Sequence, residues 1–175
     1  NAFSDMEIDE LPPIVPGKAL HLTPHQQDVF APLRAAAFSG RSETHLLFGI
    51  TGSGKTAIYM ELAREVLASG RSVLLLAPEV ALALKLWNDA ALTLPESTRV
   101  LFHGYLGPLA KERIFRDAAR RQGPVLAIGT RSALFLPLDA IGLIILDEEH
   151  DSSFKQDEGF TYQAKEVAWY RAGQN

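Results

Sequence analysis

The chain has 175 residues, 47% hydrophobic and 22% charged, with a net charge of −4. That is the size and composition of one globular domain able to bury a core, and its acidic balance excludes a protein that coats nucleic acid by bulk charge, although not one with a local groove. It contains no cysteine, which excludes disulfides and thiolate zinc sites within this chain. No apolar run approaches the ~20 residues that span a bilayer, and Asn1–Asp5 lacks the basic and apolar regions of a signal peptide. The expected location is the cytoplasm.

Residues 1–20 are acidic and then proline-rich (Pro12, Pro13, Pro16), a linker or arm preceding a single domain over 21–175. Thr23-Pro24-His25-Gln26 reads as a helix start. Threonine suits the N-cap, proline the first helical position, and Gln26 the reciprocal place of a capping box. The helix is expected to run to about Phe38, and Ser39–Ser42 to end it.

Short apolar runs then alternate with amphipathic stretches. The runs are His45–Ile50, Ser72–Ala77, Val100–Phe102, Val125–Ile128 and Leu143–Leu146; the helical patterns are Lys55–Ser69, Val80–Thr93, Leu109–Gln122 and Tyr162–Ala172. Continuous apolar strands separated by helices predict an α/β fold, a mostly parallel sheet covered on both faces. Right-handed crossovers collect the strand C-termini on one edge, where such sheets bind ligands.

Gly49-Ile50-Thr51-Gly52-Ser53-Gly54-Lys55-Thr56 fits the phosphate-loop pattern, after an expected strand and before a helix. The small residues Gly49, Thr51, Gly52, Ser53 and Gly54 let the backbone wrap a phosphate and aim N–H groups at it. Lys55 supplies a cation for the β- and γ-phosphates, and Thr56 a hydroxyl for Mg²⁺. At the end of the last apolar run stand Asp147-Glu148-Glu149-His150. A phosphate loop requires such a partner, with Asp147 for Mg²⁺ and Glu148 to orient or deprotonate the attacking water. Glu149 either joins them or faces away. His150 either couples the site to its neighbours or is an ordinary loop histidine.

Asp147-Glu148-Glu149-His150 resembles the DExH box of superfamily 2 helicases. The longer run Asp147–Gln156 with Gly159-Phe160-Thr161-Tyr162, together with Gly129-Thr130-Arg131-Ser132-Ala133-Leu134-Phe135 and Ala77-Pro78-Glu79, resembles the primosomal protein N′ family of replication-restart helicases. The similarity extends from about Leu22 to Ala172.

The resemblance implies the first RecA-like lobe of a P-loop NTPase, a three-layer α/β/α unit in a bacterial 3′–5′ DNA helicase. Such an enzyme uses ATP and Mg²⁺ and acts on single-stranded or forked DNA beside other primosome and restart proteins at the nucleoid. It implies that Gln26 reads adenine, although a capping role and Gln27 as the reader stay open. It implies a DNA-sensing loop over Asp151–Tyr162 whose rings Phe154, Phe160 and Tyr162 stack on bases, with Lys155 meeting a phosphate. Packing of those rings on the sheet edge is the alternative.

Thr130 and Arg131 are expected along the bound strand, unless Arg131 is held in a structural pair. His103-Gly104-Tyr105 departs from the family's His-Ser pattern, which puts a DNA role there in doubt. Arg113, Arg116 and Arg120 share a helix face that reads most simply as solvated surface. The family's zinc cysteines, fork-binding domain and second lobe are not in this sequence, and a further strand is expected between the phosphate-loop strand and the Asp147 strand. Something is expected to compensate for that slot: the arm, a partner's strand, or local collapse. Two other readings remain, a P-loop ATPase or kinase of another kind and a passive nucleic-acid-binding module with a relic nucleotide site.

Overall fold

In a computed structural model of the protein, residues 21–50, 52–156 and 161–174 are described. Four parallel strands form the sheet: β1 (Ser72–Leu76), β2 (Arg99–Phe102), β3 (Leu126–Gly129) and β4 (Ile141–Leu146), in the order β2-β3-β1-β4. Their register is continuous except for one irregularity at Ser72/Val73 against β4. The non-consecutive order is what helical crossovers produce, and all four C-termini share one edge.

Helices α1 (Pro24–Ala37), α2 (Lys55–Ala68), α3 (Val80–Thr93), α4 (Pro108–Arg120) and α5 (Ala164–Ala172) complete the layers. Tyr59, Met60, Ala63 and Val66 of α2 and Ala83, Leu86 and Ala90 of α3 pack on one face of β1 and β3. Ile114 and Ala118 of α4, Leu134 and Leu136 of the turn after β3, and Ala164 and Ala168 of α5 cover the other. β1 and β3, buried on both faces, are continuously apolar for that reason, whereas β4 is only half-buried along most of its length. Among the described residues, β1 is the only strand paired with β4.

α1 begins where its capping box predicts. Thr23 Oγ1 accepts from the Gln26 amide N–H at 3.3 Å, and the Thr23 N–H donates to Gln26 Oε1 at 2.9 Å. The helix buries no residue of its own. It is held to α2 by an Arg34–Glu65 ion pair of 2.6 Å, and Phe38 just past its end lies 4.9 Å from the guanidinium carbon of Arg71, between α2 and β1. Its end at Ala37, with Gly40 beyond, matches the sequence expectation.

One expected element is corrected. His45–Ile50 forms no strand; Leu46, Phe48 and Ile50 are 72%, 92% and 81% exposed. An apolar run becomes a buried strand only where a neighbouring edge pairs its backbone, and no described segment supplies that pairing. Among the described residues the phosphate-loop strand is thus not seen, and β4 pairs with β1 alone. The arm, residues 1–20, lies outside the described residues. The other elements depart by only a few residues: Tyr162–Gln163 pairs with Lys155–Gln156 as a two-stranded antiparallel ribbon (β5, Lys155–Gln156; β6, Tyr162–Gln163) before α5 begins.

Candidate nucleotide site

The phosphate loop leads into α2, with Gly54 at the N-cap and Lys55 as the first helical residue. Gly52 and Gly54 adopt φ of +82° and +84°, a left-handed conformation that side chains disfavour. The Lys55 ammonium donates to the carbonyls of Gly49 at 2.5 Å and Ile50 at 3.3 Å, so it is held inside its own loop. Thr51 lies outside the described residues.

Asp147 follows β4 directly. Its N–H donates to the Leu76 carbonyl at 2.8 Å, extending the β1–β4 ladder by one step and fixing the aspartate at the strand tip. Glu148 has φ +50°, an uncommon conformation for a residue with a side chain. It turns the chain sharply at the carboxylates, the kind of local strain that surrounding structure must hold in place.

Loop and carboxylates converge. Gly52, Ser53, Gly54, Lys55, Thr56, Asp147 and Glu148 line one cavity of about 230 Å³, together with Tyr59, Leu82, Lys85 and Leu86. Glu149 is not among those lining residues; it pairs with Lys165 of α5, as expected if it faces away. His150 is exposed and lies 3.8 Å from Glu148.

The donor set fits Mg²⁺ with a nucleotide. A hydroxyl, one carboxylate and phosphate oxygens suffice for that ion, which keeps several waters, so no dense cluster of protein ligands is required. Among the described residues no group of three or more histidines, cysteines or acids is arranged to hold a metal ion by itself.

Tyr59 and Lys85 carry no motif and were not anticipated from sequence. Tyr59 stands one helical turn after Thr56; its hydroxyl lies 3.1 Å from Thr56 Oγ1, and the residue lines the same cavity as Asp147. Burial pushes its phenol well above the ordinary range; the Thr56 hydroxyl opposes this, and Asp147 adds to it by charge and hydrogen bond. The signal available in sequence was the i, i+3 spacing from Thr56.

Gln26 performs its capping role and also reaches the loop: while Oε1 accepts from Thr23, Nε2 donates to the Gly54 carbonyl at 3.4 Å. Gln27 instead donates to the Leu22 carbonyl.

At the other strand tips, Arg131 is occupied by main chain. Its Nη1 donates to the carbonyls of Ser153 and Lys155, each at 2.7 Å, and the guanidinium contacts Tyr162. Thr130 Oγ1 lies 3.4 Å from Ser132 Oγ. Of the two readings open for Phe154, stacking on bases and packing, the ring packs: it is 3% exposed and lies with the cluster beneath α5. Tyr162 is half-buried edge-on against Phe135, with ring centroids 5.2 Å apart, while Lys155 is exposed. Phe160 lies outside the described residues. Arg113, Arg116 and Arg120 are exposed, and Arg116 pairs with Glu112, as for a solvated face. His103 is buried at the β2 tip and Tyr105 is 70% exposed.

Residues 23–171 match the family model of DEAD/DEAH box helicases. The chain is 40% identical over 153 residues to the replication restart protein PriA of Bacillus subtilis and 42% identical over 155 residues to that of Chlamydia pneumoniae. These matches cover 87% and 88% of this chain but 19% and 20% of the relatives, so the chain spans about a fifth of their length. Its fold is similar to a nuclease-deletion mutant of the Type ISP restriction-modification enzyme LlaGI, solved in complex with a DNA substrate mimic. The TM-score is 0.53 at 18% identity, covering 77% of this chain and 16% of that one.

Proposed function

From the premise that the chain belongs to the DEAD/DEAH box helicase family, we propose that it is the ATP-binding lobe of a DNA helicase acting in replication restart. The observation that carries the nucleotide part is the convergence of Lys55 and Thr56 with Asp147 and Glu148 on one cavity. The restart assignment is supported by the identity to the PriA proteins.

In this reading the amides of Gly49, Thr51, Gly52, Ser53 and Gly54 hold the β- and γ-phosphates, and Lys55 leaves its loop carbonyls to neutralise them. Gln26 contacts the adenine. Thr56 and Asp147 hold Mg²⁺, which supplies charge neutralisation at the phosphates. Glu148 orients and deprotonates the water in line with the γ-phosphate. Catalysis is positioning and electrostatics, with a second lobe closing the site and contributing an arginine.

Thr130, Lys155 and Tyr162 lie along a single-stranded or forked DNA track, Arg131 shapes it through the loop that it holds, and Phe160 is the further ring assigned to base stacking. The working environment is the bacterial cytoplasm beside the nucleoid, with other primosome and restart proteins as partners. No described helix is long and apolar enough to cross a membrane.

The deciding experiment measures ATP turnover by the longest natural form of the protein with and without forked DNA. Stimulation by the fork, lost in Lys55→Ala together with unwinding, is the expected result. Turnover indifferent to DNA points to another kind of P-loop ATPase. Unwinding-independent function that survives Lys55→Ala points to a passive binder.

A further inference from the structure

The two side chains suited to a divalent cation arrive from separate elements. Thr56 stands in the first turn of α2, and Asp147 at the tip of β4, the half-buried strand with one described neighbour. Mg²⁺ demands near-ideal octahedral geometry, so a small drift of either donor weakens the site. Something must hold the strand tip against the helix. Tyr59 is placed to do so. It is 6% exposed, its ring packs with Met60, Ala63 and Leu86 in the core, and its hydroxyl emerges in the same cavity as Thr56 and Asp147. A buried ring fixed on a helix is a rigid mount, so its hydroxyl costs little entropy to aim.

We propose that Tyr59 is a positioning residue for the cation: its hydroxyl holds the Thr56 hydroxyl and the Asp147 carboxylate in register to share one ion. The Thr56 O–H donates to the phenol oxygen and the phenol O–H donates to the carboxylate, which leaves the remaining carboxylate lone pairs facing the cavity. This role rests on the ATP and Mg²⁺ reading above. It does not require the tyrosine to touch nucleotide or to titrate.

The test is Tyr59→Phe in the full chain, with a fluorescent ATP analogue as probe. Binding is titrated at a series of Mg²⁺ concentrations and in EDTA, and folding is followed by circular dichroism and thermal melting. Loss of one hydrogen bond to a charged group predicts that half-saturating Mg²⁺ rises by about tenfold, with binding in EDTA unchanged. A merely structural tyrosine would weaken both alike. Tyr59→Met, which fills similar space without a hydroxyl, serves as a second variant if the phenylalanine chain does not fold.

An unchanged or lowered Mg²⁺ requirement overturns the positioning role, the latter because the hydroxyl would then be competing with the ion. Loss of fold in both variants also overturns it, by making the hydroxyl a requirement of the core. Wild-type chain that binds the analogue no better with Mg²⁺ than in EDTA sinks the nucleotide–magnesium reading itself, a result distinguishable from the others before any variant is made.

Discussion

Arg131 donates through one nitrogen to the main-chain carbonyl of Ser153 at 2.7 Å, and through the same nitrogen to that of Lys155. The residue that opens the turn after β3 thereby sets the path of the segment following the carboxylates. Charge-assisted bonds to carbonyls are worth more than neutral ones, but these are exposed, so their combined contribution is about 1 kcal/mol. Arg131→Ala should lower the melting temperature by a few degrees. Its larger effect should be local: amide exchange across residues 152–156 should accelerate while β1 stays protected. Uniform exchange in both regions would show that the arginine does not organise this segment.

Phe154 offers a sharper separation between packing and DNA contact. Its ring is buried against the α5 side of the core, so Phe154→Ala should destabilise the chain by about 3 kcal/mol or more. A base-stacking ring exposed on the surface would instead leave stability nearly unchanged and reduce single-stranded DNA affinity. Chemical denaturation beside a DNA titration distinguishes the two.

Gly129 ends β3 opposite Phe102 of β2. A methyl group built there would collide with the Phe102 carbonyl oxygen and crowd the Ala133 side chain. The obstacle is main chain within a parallel ladder and cannot swing away. Gly129→Ala is therefore expected to cost about 3 kcal/mol, measured by denaturant unfolding. Gly104→Ala, with nothing within 4 Å of the added carbon, is the matched control and should be close to neutral.

The legibility of the sequence divides along one physical line. Elements whose stability comes from local chemistry or from burial on both faces could be read directly. The capping box of Thr23 and Gln26 placed α1, and the unbroken apolar runs of β1 and β3 marked central parallel strands. The convergence of the phosphate loop with Asp147 was legible because the two motifs are chemically paired, the loop holding phosphates and the aspartate their metal ion. His45–Ile50 was misread because periodicity reports what a segment would bury, not whether a pairing edge exists for it. For Phe154 the sequence left base stacking and packing both open, for the converse reason. A ring in a polar loop carries no local sign that a later helix, α5, will cover it. Tyr59 stayed invisible because its role depends on a carboxylate 88 positions later in the chain (147 − 59 = 88).

His103 provides a pH test whose sign follows from its surroundings. It is 9% exposed at the tip of β2, and its Nδ1 has no hydrogen-bond partner among the described residues. Burial lowers its proton affinity below the ordinary histidine value of 6.5, and the Lys111 charge lowers it further. The folded chain thus holds this proton less readily than the unfolded chain. Between the two values the unfolded state binds more protons, so stability rises with pH. The contribution is complete above 6.5 and is lost as pH falls below that value toward the depressed folded one. Wild-type chain should therefore lose more melting temperature between about pH 7.5 and about pH 5.5 than His103→Gln, which has no proton to take up. Carboxylates common to both chains contribute equally to each curve, so the difference isolates the histidine. Parallel curves would mean that His103 is protonated as easily in the folded chain as in the unfolded one, and hence is not held neutral at the strand tip.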